Sequence, residues 1–312
     1  MASTIEDSTT DSIKAIVNYY LPPADGGPPE HYVVRTAAAS KRPMNARRVK
    51  IFDLRGREHD FNLDHNGFQL VRHVSKEKKF DNEDRIKAVY YPEIEQLMKK
   101  QTGATHAYIF SHVVRNHSRE EELKLLQGAK NDDMINLDSP ALFAHIDQSY
   151  DGASIALDSI IESGLAPSQL PTWRANAHRF AIINAWRPLK PITREPLAVC
   201  DAATVAESDL REITLRIRDD YIHGRGQKQL VRNQKIWQVA ANSQHRWYWP
   251  RRQTPEEVLL IKCFDSKMDV ARRVPHTAVQ TPEDYGPPRE SVEVRCLLFW
   301  DDEKNNSEKA RL

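Results

Sequence analysis

Seven short runs crowd the second half of the chain: RFAIINAWRPL (179–189), PLAVCDA (196–202), REITLRIR (211–218), QVAANSQHRWYW (238–249), EVLLIKCFDS (257–266), HTAVQTP (276–282) and SVEVRCLLFW (291–300). They are β-branched or aromatic in character, and Pro, Asp or Gly divides them, which is the pattern of short strands. Upstream, RVKIFDLRGREHDFNLDHNGFQL (48–70) holds two more β-like runs around a turn at Gly56, and ATHAYIFSHVVR (104–115) is again β-rich. Helical spacing appears in DNEDRIKAVYYPEIEQLMKKQTG (81–103), at Ile86, Val89, Tyr90, Ile94 and Leu97. Asn82 or Asp84 can cap that helix, and Pro92 is where it kinks or splits. A second helix is expected over 151–164, closed by Gly164, and a third over roughly 168–177. Helices that precede a dense set of strands predict an α+β protein, mainly β, with a sandwich or barrel core and flanking helices.

The polar, Pro-rich first forty-odd residues, with LPPADGGPPE at 21–30, read as an arm (1–45) lying over the surface. A single domain is expected over 46–302, with helical insertions and a polar tail at 303–312. The chain has 312 residues, of which 29% are charged and 40% apolar, enough for a sizeable buried core. Lys and Arg number 45 against 44 Asp and Glu, a balance that argues against a nucleic-acid protein. No apolar stretch approaches the roughly 18–20 residues that span a bilayer, and the first thirty residues lack a signal-peptide core. Cys200, Cys263 and Cys296 stand far apart, so neither a zinc knuckle nor a disulfide framework is expected, and the cytoplasm is the default compartment. With 11 Gly and neither GxGxxG nor GxxxxGKS/T, dinucleotide-binding and P-loop readings have little support.

The triplet His145-Ile146-Asp147 carries the first chemical signal. Residues i and i+2 of a strand share a face, so imidazole and carboxylate point to one place. Two His and one carboxylate on one face bind non-haem Fe(II) and leave three positions open. His276, which opens a strand 131 residues later, is the best candidate for the second His. Alone, HxD also reads as an ordinary half-buried polar pair. Thirteen residues past His276 come Arg289-Glu290-Ser291. Arg289 and Ser291 share a strand face and together can hold a carboxylate, as the corresponding strand of 2-oxoglutarate oxygenases does. The bland alternative is a surface Arg beside a strand Ser.

Several further groups have two readings. Asn184, Trp186 and Arg187 sit in an apolar strand, either as a pocket wall touching cosubstrate or with Arg187 paired to Asp201 or a Glu. Trp247, Tyr248 and Trp249 are core, or line an apolar pocket. His106, His112 and His117 read as strand and loop histidines rather than ligands. Arg115 is a candidate for a substrate carboxylate, and Lys262 with Asp265 and Ser266 for support behind the distal His.

In order and spacing, VKIFDLRGREHDFNLDHNGFQL, HIDQS, NAWRPL with PLAVCDA, SQHRWYWP, EEVLLIKCFDS, VPHTAV and RESVEVRCLLF resemble one family over roughly residues 45–300. It is the fungal and bacterial non-haem iron oxygenases related to cephamycin-type methoxylation proteins, gibberellin desaturase-like enzymes and fungal meroterpenoid endoperoxide synthase. The resemblance implies a double-stranded β-helix (jelly-roll) fold, Fe(II), 2-oxoglutarate as cosubstrate and O2. It puts the metal on His145, Asp147 and His276, and the cosubstrate on Arg289 and Ser291, with Arg187 and Arg295 as rivals for its far carboxylate. It also implies hydrogen abstraction from a small specialised-metabolite substrate, giving hydroxylation, desaturation or oxidative cyclisation. Competing readings are a metal-dependent enzyme without 2-oxoglutarate and a non-catalytic jelly-roll partner protein. No nucleic-acid or membrane partner is expected, and a homo- or heterodimer is left open. A lid is expected from the arm, the 104–117 segment and the loop after Asp147; the polar stretch 219–233 reads first as a solvated hairpin loop and second as a further lid hinged at Gly224 and Gly226.

Overall fold

The computed structural model describes residues 11–217, 222–223, 227–228 and 233–301. The expected 303–312 tail and most of the 219–233 stretch, both Gly hinges included, lie outside them. In chain order the strands are β1 Ser12–Tyr19, β2 His31–Val33, β3 Asn45–Asp53, β4 Phe68–Arg72, β5 His106–Arg115, β6 His145–Ile146, β7 Ala177–Pro188 and β8 Leu197–Cys200. They continue with β9 Leu210–Arg216, β10 Ile222–His223, β11 Gln227–Lys228, β12 Asn233–Val239, β13 Trp247–Trp249, β14 Glu257–Asp265, β15 His276–Ala278 and β16 Ser291–Asp301. Nine form one sheet in the order β1-β3-β13-β8-β15-β6-β12-β9-β2, and five form a second, β4-β14-β7-β16-β5. This is the mainly β, two-sheet jelly-roll core that the sequence predicts.

The five-stranded sheet has two distinct faces, as period-2 alternation requires. Val292, Val294, Cys296 and Leu298 of β16 join Ala181, Ile183 and Ala185 of β7 beneath one helical stretch. That stretch is α2 Glu83–Arg85, a π-helical turn at Ile86–Tyr90, and α3 Tyr91–Thr102, whose Tyr90, Ile94, Leu97 and Met98 are buried against the strands. Pro92 falls in the first turn of α3, directly after the π turn, the kind of local adjustment by which a helix takes up a Pro. The opposite face looks toward the nine-stranded sheet. There Ser291, Glu293 and Arg295 lie beside Arg115, Val113 and Ser111 of β5 and Pro188, Trp186 and Asn184 of β7. The register between β5 and β16 skips Phe110, a bulge that turns Phe110 and Ser111 alike toward the cavity between the sheets.

Two expectations need correction. Residues 12–19, assigned to a surface arm, form an edge strand paired with β3 throughout, with Ala15, Val17 and Tyr19 buried. The 104–117 segment is a core strand, β5, rather than a cover outside the strands. Both still border the cavity, through Asn18 and through Phe110, Ser111, Val113 and Arg115.

After Asp147 the chain turns into α5, Tyr150–Glu162, capped by Ser149, whose Oγ accepts from the Gly152 N–H at 2.9 Å. A Cβ on Gly152 would stand 2.0 Å from the Lys235 carbonyl oxygen, so only Gly lets this first turn press onto β12. A further helix, α6, covers Leu170–Asn176. Cys200, Cys263 and Cys296 are free and buried. Among the described residues no helix is long and apolar enough to cross a membrane.

Candidate functional site

His145 and His276 face each other across a strand pair, because β6 and β15 run antiparallel with these two residues in register. Their ring centroids are 4.5 Å apart. Asp147, two residues beyond His145, turns to the same side, with Oδ1 3.3 Å from His145 Nε2 and 3.8 Å from His276 Nε2. One ligand atom from each of the three lies within 4.8 Å of the others. The expected constellation is therefore assembled, from positions 131 residues apart.

The ring nitrogens are sorted by the backbone. His145 Nδ1 lies 2.8 Å from the Phe143 carbonyl, and His276 Nδ1 lies 3.4 Å from the Val274 carbonyl. A carbonyl only accepts, so each Nδ1 carries the proton and each Nε2 lone pair is free for a metal. Burial, then the neighbouring His145, pushes His276 down to about 3, which keeps it neutral as a ligand must be. For Asp147, burial works against the charge, but the Arg295 guanidinium beside it overcomes that and holds the carboxyl well below its usual range. Two imidazoles that turn Nε2 inward and one carboxylate form a donor set that fits a divalent iron.

The next layer holds the carboxylate. Asp147 Oδ2 accepts from Arg295 Nε at 2.9 Å and from Asn184 Nδ2 at 2.8 Å. Arg295 also donates to Glu293 at 2.8 Å. Arg295 is thus engaged by the Asp147 carboxylate and by Glu293, rather than pointing a free fork into the cavity. Asn184, read from the sequence as a pocket wall, is a support for Asp147. Behind His276, the Lys262 carbonyl accepts from the Val274 N–H at 2.8 Å, and the fully buried Lys262 ammonium pairs with Asp265 at 2.8 Å. Lys262 and Asp265 therefore brace the segment that aims His276.

Arg289 and Ser291 lie farther along the same face. The Arg289 guanidinium sits 5.2 Å from the centre of the Trp186 ring and donates to the Glu195 carbonyl at 2.6 Å. Trp186 is two residues from Asn184, so Arg289 lies about 7 Å along β7 from the Asp147 support, roughly the span of an extended five-carbon dicarboxylate. Arg289 Nε and Ser291 Oγ are both buried, and neither has a hydrogen-bond partner among the described residues. Burial, then the nearby Arg115, depresses the Arg289 pKa, and an arriving anion would relieve both.

Other sequence candidates go elsewhere. Arg187 points to the opposite face, where it bonds the Tyr90 hydroxyl at 3.0 Å, the carbonyls of His73 and Pro255, and the His73 ring. It is not brought to the cluster, and its partners are neither Asp201 nor a Glu. Trp247 and Trp249 are core, with Trp247 Nε1 donating to the Tyr19 hydroxyl at 2.7 Å. His112 meets Tyr91 and Glu83, and His106 stacks on Trp173; neither joins the His145–Asp147–His276 cluster. Arg115 does line the cavity, donating to the Ser139 carbonyl at 2.7 Å. Sequence reasoning missed Arg42 and Phe143, which also line the cavity, although Phe143 stands two residues before His145.

A cavity of about 710 Å³ opens onto His145, Asp147 and Arg295. Comparison with known proteins agrees with the geometry. A family model described as an oxidoreductase/YMDC permease-like domain matches residues 17–299. The hydroxylase/desaturase efuI of Hormonema carpetanum is 37% identical over 97% of this chain and 99% of its own. The alpha-ketoglutarate-dependent dioxygenase phiK of a fungal species is 32% identical over 92% and 96%. Among solved structures, the iron and alpha-ketoglutarate-dependent endoperoxidase NvfI superposes with a TM-score of 0.72 over 94% of this chain and 100% of its own, at 23% identity, a likeness of fold.

Proposed function

This chain belongs to the oxidoreductase family that includes fungal hydroxylase/desaturases and alpha-ketoglutarate-dependent dioxygenases, and from that premise we propose how its residues divide the work of an Fe(II)/2-oxoglutarate oxygenase. It acts on a small specialised metabolite. His145 Nε2, His276 Nε2 and Asp147 Oδ1 hold the iron, and Arg289 with Ser291 holds the far carboxylate of 2-oxoglutarate. Fe(II), 2-oxoglutarate and O2 together supply a hydrogen-abstracting oxidant and release succinate and CO2.

The protein's part is positioning. Arg295 and Asn184 bind Asp147 Oδ2 and so turn Oδ1 toward the histidines. The buried Arg289 Nε and Ser291 Oγ await acceptors, and a carboxylate satisfies both at once. The cavity walls shield the reacting C–H bond from water. The assembled His145–Asp147–His276 cluster is the observation that carries this reading, because a binding protein of the same fold has no need of it. The finer outcome is hydroxylation, desaturation or oxidative cyclisation. We place the enzyme in the cytoplasm, without a membrane partner, and its near-zero net charge supports a reading without nucleic-acid partners.

The test is succinate release by the purified protein, with Fe(II) and 2-oxoglutarate supplied or withheld singly. Succinate that requires both supports the proposal. Metal-dependent turnover indifferent to 2-oxoglutarate overturns the cosubstrate assignment.

A further inference from the structure

The cavity wall is richer in cations than in anions. Most of these cations are already neutralised. Arg35 pairs with Asp138, Arg119 with Glu122, Lys235 with Asp151 and Glu212, and Arg295 with Asp147 and Glu293. Arg42 and Arg115 also line the cavity, and neither meets a carboxylate among the described residues. Arg115 lies directly across from Ser291, next to the cosubstrate cradle. Arg42 is different.

Arg42 follows the short helix α1, Ala37–Lys41, and precedes Pro43, which holds it extended and out of the helix. Its Nη1 donates to the Ala39 carbonyl at 2.7 Å, and its Nε is buried without an acceptor. The guanidinium lies between two rings, 4.6 Å from the centre of Tyr32 and 4.3 Å from the centre of Phe143. Phe143 in turn stacks on the metal-ligand ring of His145, with centroids 4.4 Å apart. An arginine clamped between aromatic faces keeps its charge and loses little freedom when it takes an anion. It stands one ring beyond His145, in a cavity much larger than 2-oxoglutarate needs, whose lining also includes apolar Phe110, Val113 and Leu142.

We propose that the substrate is an anionic, mainly apolar small molecule whose carboxylate or ionised enol is held by Arg42, while its apolar body rests against Phe110, Val113 and Leu142. The proposal builds on the oxygenase reading, but its test does not depend on turnover. The probes are a fluorescent bicyclic acid, 7-methoxycoumarin-4-acetate, and its methyl ester. Both are titrated into the full-length protein with Mn(II) and saturating 2-oxoglutarate under nitrogen. The acid is expected to bind at least about 10-fold more tightly than the ester, the worth of one charge-assisted bond. Arg42→Gln should remove that preference and leave the affinity for the ester unaltered, which also shows that the variant is folded. Arg42→Lys should restore part of it. A wild-type protein that binds both probes equally, or neither, overturns the proposal, as does an Arg42→Gln protein that keeps the preference. Succinate release by the same wild-type preparation reports separately on the oxygenase reading.

Discussion

Asp147 meets Arg295 through the oxygen turned away from the histidines: Oδ2 accepts Arg295 Nε at 2.9 Å, while Oδ1 lies 3.3 Å from His145 Nε2. One carboxylate thus joins the two sheets, its backbone in the segment after β6 and its partner on β16. Arg295→Gln removes the charge and shortens the side chain, so the bond to Asp147 is lost. It should weaken metal affinity by about 10- to 100-fold, the usual effect of losing a group that orients a ligand. Mn(II) titration followed by electron paramagnetic resonance measures it. An unchanged affinity would mean that Asn184 alone orients the carboxylate.

His276→Ala and Asp147→Asn should each abolish metal-dependent succinate release. Metal content of the purified protein, by plasma spectrometry, should fall with it. His59→Ala provides the control, because that side chain is exposed and belongs neither to the cluster nor to the cavity lining. Full turnover by the His276→Ala protein would sink the ligand assignment.

Arg289 and Arg187 make opposite predictions. Arg289→Ala should raise the KM for 2-oxoglutarate by about 10- to 150-fold, equivalent to roughly 1.5–3 kcal/mol, with metal affinity kept. Arg187→Ala should instead destabilise the fold, by about 3 kcal/mol, because it orphans the buried Tyr90 hydroxyl and two carbonyls. Initial rates and urea titrations on both variants decide. The reverse pattern would move the cosubstrate anchor to Arg187.

The buried Glu77 gives a pH prediction. Its Oε1 accepts from the N–H groups of Lys78, Lys79 and Phe80 at 3.0, 2.8 and 3.1 Å, and Oε2 meets Arg85 at 3.0 Å. Burial raises its pKa, but these backbone bonds and Arg85 outweigh it, so the net shift is downward. A depressed folded pKa means the carboxylate stabilises the protein above its unfolded value, about 4.3. That contribution disappears as pH falls through the lower folded value. Glu77→Gln should therefore cost about 1–2 kcal/mol at pH 7 and progressively less below pH 4. Urea unfolding across pH measures it, and a gap that widens in acid contradicts the assignment.

The cluster was legible in the sequence because strand periodicity alone sends His145 and Asp147 to one side, and a strand-opening His276 needed only to be paired with them. The same alternation places Ser291, whereas Arg289 lies just before β16 begins. Arg187 misled because a buried Arg signals a partner but not on which side of the strand, and one step of alternation separates it from Trp186. Arg42 was invisible, since its place depends on α1 docking near β6 rather than on any local pattern. The strand at 12–19 did leave a signal, the alternation of buried Ala15, Val17 and Tyr19 in SIKAIVNY. The Pro-rich run beside it drowned that signal when composition was read over the whole segment.

That N-terminal stretch supplies both outer strands of the nine-stranded sheet, β1 at one end beside β3 and β2 at the other beside β9. Removing residues 12–33 would bare two rows of unpaired N–H and C=O groups at once, the surfaces through which sheets from separate molecules join. The segment that looks most dispensable in the sequence therefore guards the protein's solubility, and shortening it should produce aggregates before it produces a weaker enzyme.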